Sequence, residues 1–164
     1  MKDAMQVVPA PENVKTGVQR VKPVAKALAE ALADTYRLVF KTHAYHWNVE
    51  GALFYPIHTL TETQYENMFA AADEIAERIR ALGQIAPSTL NDVIEASIVK
   101  DADTLPSAQE MVEDLAADHE KVAKRMHKVI TLAEVHEDPV TADLMTARSA
   151  FHEQAAWMLR ATAK

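Results

Sequence analysis

From Pro56 to Leu82 nothing in the sequence stops a helix, and Gly83 follows as a natural terminator. The stretch reads as one long helix, so any chemistry it carries is laid out on helical geometry. At about 100° per residue, Glu62 lies roughly 40° around from His58, Asp73 roughly 60° and Glu77 roughly 100°. All four side chains project into one quadrant. Upstream stands His46, and Gly51 and Pro56 mark a break between the two histidines, which therefore belong to different helices.

Along the axis the same residues are far apart. Glu62 and Asp73 are separated by about 16 Å at 1.5 Å rise per residue, a gap no single metal ion bridges. Two such helices packed antiparallel about a two-fold axis near Asn67 resolve this. His58 and Glu62 of one chain then face Asp73 and Glu77 of the other, giving two equivalent sites per dimer. Spacing alone leaves a plainer reading open. Glu74 and Arg78 form an ordinary i,i+4 ion pair, and acids on long helices are usually solvated. Against it, Asp73 and Glu77 are a like-charge i,i+4 pair, which costs a little stability unless a cation sits between them.

Composition narrows the donors. The chain has no cysteine, so a metal is held by nitrogen and oxygen, which suits iron or manganese and also zinc or copper. A net charge of −7 argues against a generic nucleic-acid binder, although inside a closed oligomer it would attract cations. No apolar run has the length of a membrane span, and the N-terminus lacks a signal-peptide core. The default location is the cytoplasm.

Residues 1–20 contain Pro9, Pro11 and Gly17 with no sustained period, and read as an extended or mobile arm. Up to Lys26 the basic residues Lys2, Lys15, Arg20, Lys22 and Lys26 outnumber Asp3 and Glu12, so 5 − 2 leaves about +3, enough to touch phosphates. Residues 21–164 form the folded unit. The first helix is expected from about Lys22 to Asn48, with Leu28, Leu32, Tyr36, Val39, Phe40 and His43 as its buried stripe. His43 reads as a hydrogen-bonded interface histidine, and Trp47 and Trp157 as packing residues. The second helix spans about 56–82, and the long connection after Gly83 holds a short helix over Leu90–Ser97, capped by Ser88 or Thr89. Ser107 and Glu110 make a capping box for a helix reaching about Val135. Its core face is Met111, Leu115, Val122, Met126, Val129 and Ile130, with His119 and His127 exposed. Asp138 and Pro139 open the last helix, whose inner stripe is Leu144, Ala147, Phe151, Ala155, Met158 and Leu159. The result is an all-α four-helix bundle with one long crossover. Glu-x-x-His, which builds a di-iron site inside a single bundle, is nowhere in the chain.

The motifs HWNVEG, FYPIH and DEIAERIRALG, with the closing HEQAAWMLRA, resemble the Dps mini-ferritins, and the resemblance covers nearly the whole chain after about residue 20. It implies a ferritin-like four-helix bundle with a short extra helix between the second and third helices, assembled as a hollow dodecamer. Carried over by position, His46, His58 and Glu62 are iron ligands from one subunit, and Asp73 and Glu77 come from its two-fold mate. Many members have aspartate at Glu62, so the second iron position is reached here by a longer arm. The resemblance also implies that Trp47 lies beside the iron site and takes up oxidising equivalents. Asp138 and Asp143 become candidates for a three-fold cation pore, and the basic N-terminal arm a candidate DNA contact. The expected function is iron storage with ferroxidase activity, using hydrogen peroxide or dioxygen, in the cytoplasm or on the nucleoid. Two rivals remain: a DNA-compacting assembly with incidental metal binding, and a shell that holds divalent metal without turnover.

Overall fold

The structure, a computed structural model, describes residues 4–164; Lys2 and Asp3 of the basic arm lie outside the described residues. Five α-helices follow a short 3-10 turn at Ala4–Gln6: α1 Val21–Asn48, α2 Phe54–Ala81, α3 Leu90–Ala96, α4 Ala108–Val135 and α5 Pro139–Thr162. The described residues contain no strand. The short α3 is capped by Thr89, whose hydroxyl accepts from Asp92 N while the Asp92 carboxylate accepts from Thr89 N. Ser107 and Glu110 build the same reciprocal cap at α4, and Asp138 caps α5 with Pro139 in its first turn. The second helix starts two residues before Pro56, because a proline in the first turn displaces no intrahelical donor.

Helices α1 and α2 pair antiparallel, as do α4 and α5, and α1 crosses to α4 while α2 meets α5. The long connection runs the length of the bundle, which makes α2 and α4 parallel. The core is Leu28, Leu38, Ile57, Met68, Ile75, Ile79, Met111, Leu115, Met126, Met145 and Leu159, all fully buried. Two ionic crossings stitch α1 to α4. Lys41 Nζ lies 2.5 Å from Asp114 and 2.6 Å from Asp118, and Tyr45 donates its hydroxyl to Asp114 at 2.7 Å. Burial and that carboxylate push the Tyr45 phenol far above its usual range. Asp34 accepts from Ser97 Oγ at 2.9 Å and Ile98 N at 2.8 Å, with Arg125 Nε 3.0 Å away. This ties the end of α3 to α1 and α4. Burial outweighs these partners and raises the Asp34 carboxyl.

Several expected faces are turned. On α1, Tyr36 and Phe40 are exposed rather than buried, and so is Trp157 on α5. The inner face of α5 is Thr141, Met145, Arg148, Ser149, His152, Ala155, Ala156 and Leu159, with Ala147 and Met158 outside. His119 is fully buried instead of exposed; it follows Leu115 by one turn and precedes Val122, so it lies on the apolar stripe despite its charged neighbours. His127 is exposed as expected, 2.7 Å from Ser149 Oγ and 3.0 Å from Glu153. Arg78 does not pair with Glu74. It reaches α5, where Nη2 donates to Asp138 at 2.7 Å and Nε to Thr141 Oγ1 at 3.0 Å.

Residues 7–20 of the arm carry no helix or strand and are mostly exposed, but they lie against the body. Glu12 N donates to Gly83 O at 2.8 Å, and Gln19 N to His136 O at 3.1 Å. Gly83 has a positive φ of 76°, and a side chain there would run into the Glu12 carbonyl. Glycine is required at this turn on both counts.

Candidate metal centre

The turn between α1 and α2 brings His46 and His58 face to face, with ring centroids 3.7 Å apart and planes 16° off parallel. Each ring's Nδ1 lies 2.9 Å from the other residue's backbone carbonyl, His46 Nδ1 to His58 O and His58 Nδ1 to His46 O. A carbonyl only accepts, so both Nδ1 atoms carry the proton. With Nδ1 engaged in this way, Nε2 is the nitrogen each ring has for a metal, and the reciprocal bonds fix the orientation of both rings. The helix-end carbonyls of α1 and the first turn of α2 serve as the outer support that metal-bound imidazoles need.

Around the pair the rings are stacked further. His43 stands 4.1 Å from Tyr65 and 4.2 Å from Trp47, and Tyr65 meets His46 edge-on at 5.3 Å. Within the chain His43 is held by stacking between Tyr65 and Trp47. Trp47 is 58% exposed and touches the ligand pair through His43. Phe54 closes the other side, 4.9 Å from His58.

Glu62, Asp73 and Glu77 all lie exposed on α2, in line with their shared quadrant. Among the described residues, no group of three or more histidine or acidic side chains converges within one chain to hold a metal ion. Glu62 does not join the two histidines in such a group, and the axial separation read from the sequence keeps Asp73 and Glu77 away from them. His58 and Glu62 lie toward one end of α2, with His46 brought there from the end of α1, and Asp73 and Glu77 lie toward the other; the helix is too rigid to bring the two sets together.

Of the two pore candidates, only Asp143 faces outward. Asp138 is 1% exposed; Oδ1 accepts from Arg78 and from Thr141 N at 2.9 Å, and Oδ2 accepts the Thr141 hydroxyl at 2.6 Å. Burial opposes its charge, yet the Thr141 and Arg78 bonds together hold the carboxyl below its usual range. The carboxylate is buried and bonded inside the chain, out of reach of a passing cation. The sequence signalled the cap but not Arg78, which arrives from another helix. No described helix is long and apolar enough to cross a membrane.

Comparison with known proteins agrees with this architecture. Residues 25–164 match the ferritin-like domain. The chain is 34% identical over 140 residues to DNA protection during starvation protein 2 of Bacillus anthracis, covering 85% of this chain and 96% of that protein. The crystal structure of Dps from Staphylococcus aureus superposes with a TM-score of 0.83 at 32% identity, over 86% of this chain and 95% of that one. The Dps protein from Vibrio cholerae O1, described as a member of the ferritin-like diiron-carboxylate proteins, gives 0.83 at 26% identity, over 88% and 91%. Motif spacing, four-helix topology and these likenesses converge: the chain belongs to the Dps family of ferritin-like proteins.

Proposed function

We propose that this protein is a ferroxidase and iron store that works as a closed homo-oligomer, a dodecamer as the family resemblance implies. Fe(II) is its substrate. It binds between His46, His58 and Glu62 of one subunit and Asp73 and Glu77 of a two-fold mate. The observation that carries the reading is the His46–His58 lock. Two imidazoles are each fixed through Nδ1 on the other's carbonyl, which leaves Nε2 for a metal; Glu62 lies exposed one turn after His58, and the remaining carboxylates lie at the far end of the same helix. A half-site of this kind is completed only by a second chain.

The exposed aromatic face supports that partner. Tyr36, Phe40, Trp47, Phe54, Tyr55 and Phe69 on α1 and α2, with Leu90 and Ile94 on α3, are apolar and open to solvent in the single chain. A second copy laid antiparallel on α2 covers them. Hard carboxylate oxygens favour the ferric product and imidazoles retain Fe(II). Hydrogen peroxide or dioxygen takes the electrons, and Fe(III) passes to a mineral inside the shell, with Asp143 the remaining pore candidate. Removing Fe(II) and peroxide together protects DNA, the role named for the Bacillus anthracis relative. Trp47 serves as an outlying acceptor of oxidising equivalents, and the exposed basic arm is the DNA contact.

Anaerobic loading with Fe(II) followed by a peroxide pulse, read as ferric absorbance, tests the site. Wild type should oxidise iron rapidly, whereas Asp73→Ala/Glu77→Ala, assembled to the same size, should lose most of the rate. Equal rates in both assemblies would rule out the site and leave a DNA-binding or metal-holding shell.

A further inference from the structure

Halfway along the bundle the core turns polar. Thr42 on α1, Gln64 on α2, His119 on α4 and His152 on α5 are each 3% exposed or less. The helix pairings put them at one height. His43 meets Tyr65, which sets Thr42 beside Gln64, and Lys41 meets Asp118, next to His119. His119 meets His152 directly, with Nδ1 to Nδ1 at 2.8 Å. On the remaining pair Arg78 meets Asp138, and 78 − 14 is Gln64 while 138 + 14 is His152. Arg148, 8% exposed, stands one turn from His152 with its guanidinium 4.6 Å from the Phe151 ring.

The atoms these residues turn inward have no hydrogen-bond partner in the chain: Thr42 Oγ1, both amide atoms of Gln64, Nε2 of His119 and of His152, and Nε and Nη2 of Arg148. Buried polar atoms in native proteins are almost always paired, because an unpaired one costs as much as a lost hydrogen bond. Their chemistry selects the partner. One proton lies between the two Nδ1 atoms, so in the neutral pair the accepting ring carries its own proton on Nε2, a donor aimed away from its neighbour. Nε and Nη2 of Arg148 share one edge of the guanidinium, the edge that grips an anion side-on. Glu74 is the acid that acts on Arg148 electrostatically, yet it is exposed and makes no ion pair with it.

The layer thus offers the Arg148 edge, the Gln64 amide N–H, the Thr42 hydroxyl and one imidazole N–H as donors, against two acceptors, Gln64 Oε1 and the other ring's Nε2, with one fixed positive charge and no carboxylate. The fixed positive charge, with no carboxylate beside it, disfavours a divalent cation and favours an anion. We propose that this layer is an internal binding site for one small monovalent anion of the halide class. The anion is gripped by the Arg148 edge and enclosed by Gln64, Thr42 and one imidazole N–H. It neutralises the one buried guanidinium of the bundle core and bridges all four long helices, independently of iron chemistry at the subunit interface.

Crystals of the assembled full-length protein grown in sodium bromide, measured at the bromine edge, test this directly. The expected result is an anomalous peak beside Arg148 Nε and Nη2 within each subunit. No peak there, with water or the Glu74 carboxylate on that edge instead, overturns the assignment. In solution the wild-type melting temperature should rise by a few degrees when gluconate, too large to enter, is exchanged for bromide at equal ionic strength. A melting temperature indifferent to that exchange overturns it as well.

Discussion

Acidification should unfasten this bundle from its centre. His119 and His152 share one hydrogen bond inside the core, and burial drives both toward the neutral form. For His119 burial, with the Arg148 charge behind it, pushes the pKa down to about 3. For His152 burial, His119 and Arg148 all push in the same direction. In the unfolded chain each imidazole regains the ordinary value of 6.5. Above that pH neither state binds the proton and the pair contributes its full stability. Below it the unfolded chain takes up protons that the folded chain refuses, so stability falls as pH drops toward the folded pKa. Each pH unit is worth about 1.4 kcal/mol per imidazole, so His119 alone removes about 2 kcal/mol by about pH 5. His152 adds to the loss. The assay is urea unfolding followed by circular dichroism between about pH 8 and pH 5, on wild type and His119→Gln/His152→Gln. Wild type should lose stability more steeply with acid, by up to about two protons' worth of slope. Parallel pH profiles would show that the pair carries no such linkage and refute the reasoning.

The Lys41 crossing gives a second test. Lys41→Met leaves Asp118, which is 1% exposed, with Lys121 alone and Asp114 with only the Tyr45 hydroxyl, so unfolding free energy should drop by about 3 kcal/mol in urea titrations. At the Gly83 turn, Gly83→Ala meets both a φ of 76° and the Glu12 carbonyl. It should cost about 1–2 kcal/mol and lift the arm, seen as faster limited proteolysis around residues 10–20. Arg78→Ala withdraws the charge beside the buried Asp138 carboxylate. The melting temperature should fall, and the fall should be smaller in Asp138→Asn, whose neutral amide needs no counterion; equal losses would mean that Arg78 acts through packing alone.

What the sequence showed of the fold was carried by punctuation and period. Pro56, Gly83, the Ser107 and Glu110 pair, and Asp138 with Pro139 are local signals, and they located every long helix to within a residue or two. The shared quadrant of His58, Glu62, Asp73 and Glu77 and their separation along α2 were legible too, because 3.6-residue geometry fixes both. Contacts set by other helices were not. The inner face of α5 was misassigned because Arg148 and His152 are polar and yet buried, which periodicity of apolar residues cannot see. Tyr36 and Phe40 follow an apolar period that says a face is covered without saying by what. Arg78 looked like the partner of its own helix neighbour, and only the arrival of α5 redirected it. Nor could spacing disclose that His46 and His58 each donate to the other's carbonyl, a tertiary geometry that sets which ring nitrogen is left over.

The rigid length of α2 has a genetic consequence. If each centre draws its imidazoles from one chain and its far carboxylates from another, the two halves of the site are inherited separately. Chains lacking His46 and His58 and chains lacking Asp73 and Glu77 are each inactive alone. Where the two meet across a two-fold axis, one centre loses both halves and the other keeps both. With random mixing, half of the pairs are of this kind, so about a quarter of all centres return. Two dead alleles, coexpressed, would rescue each other.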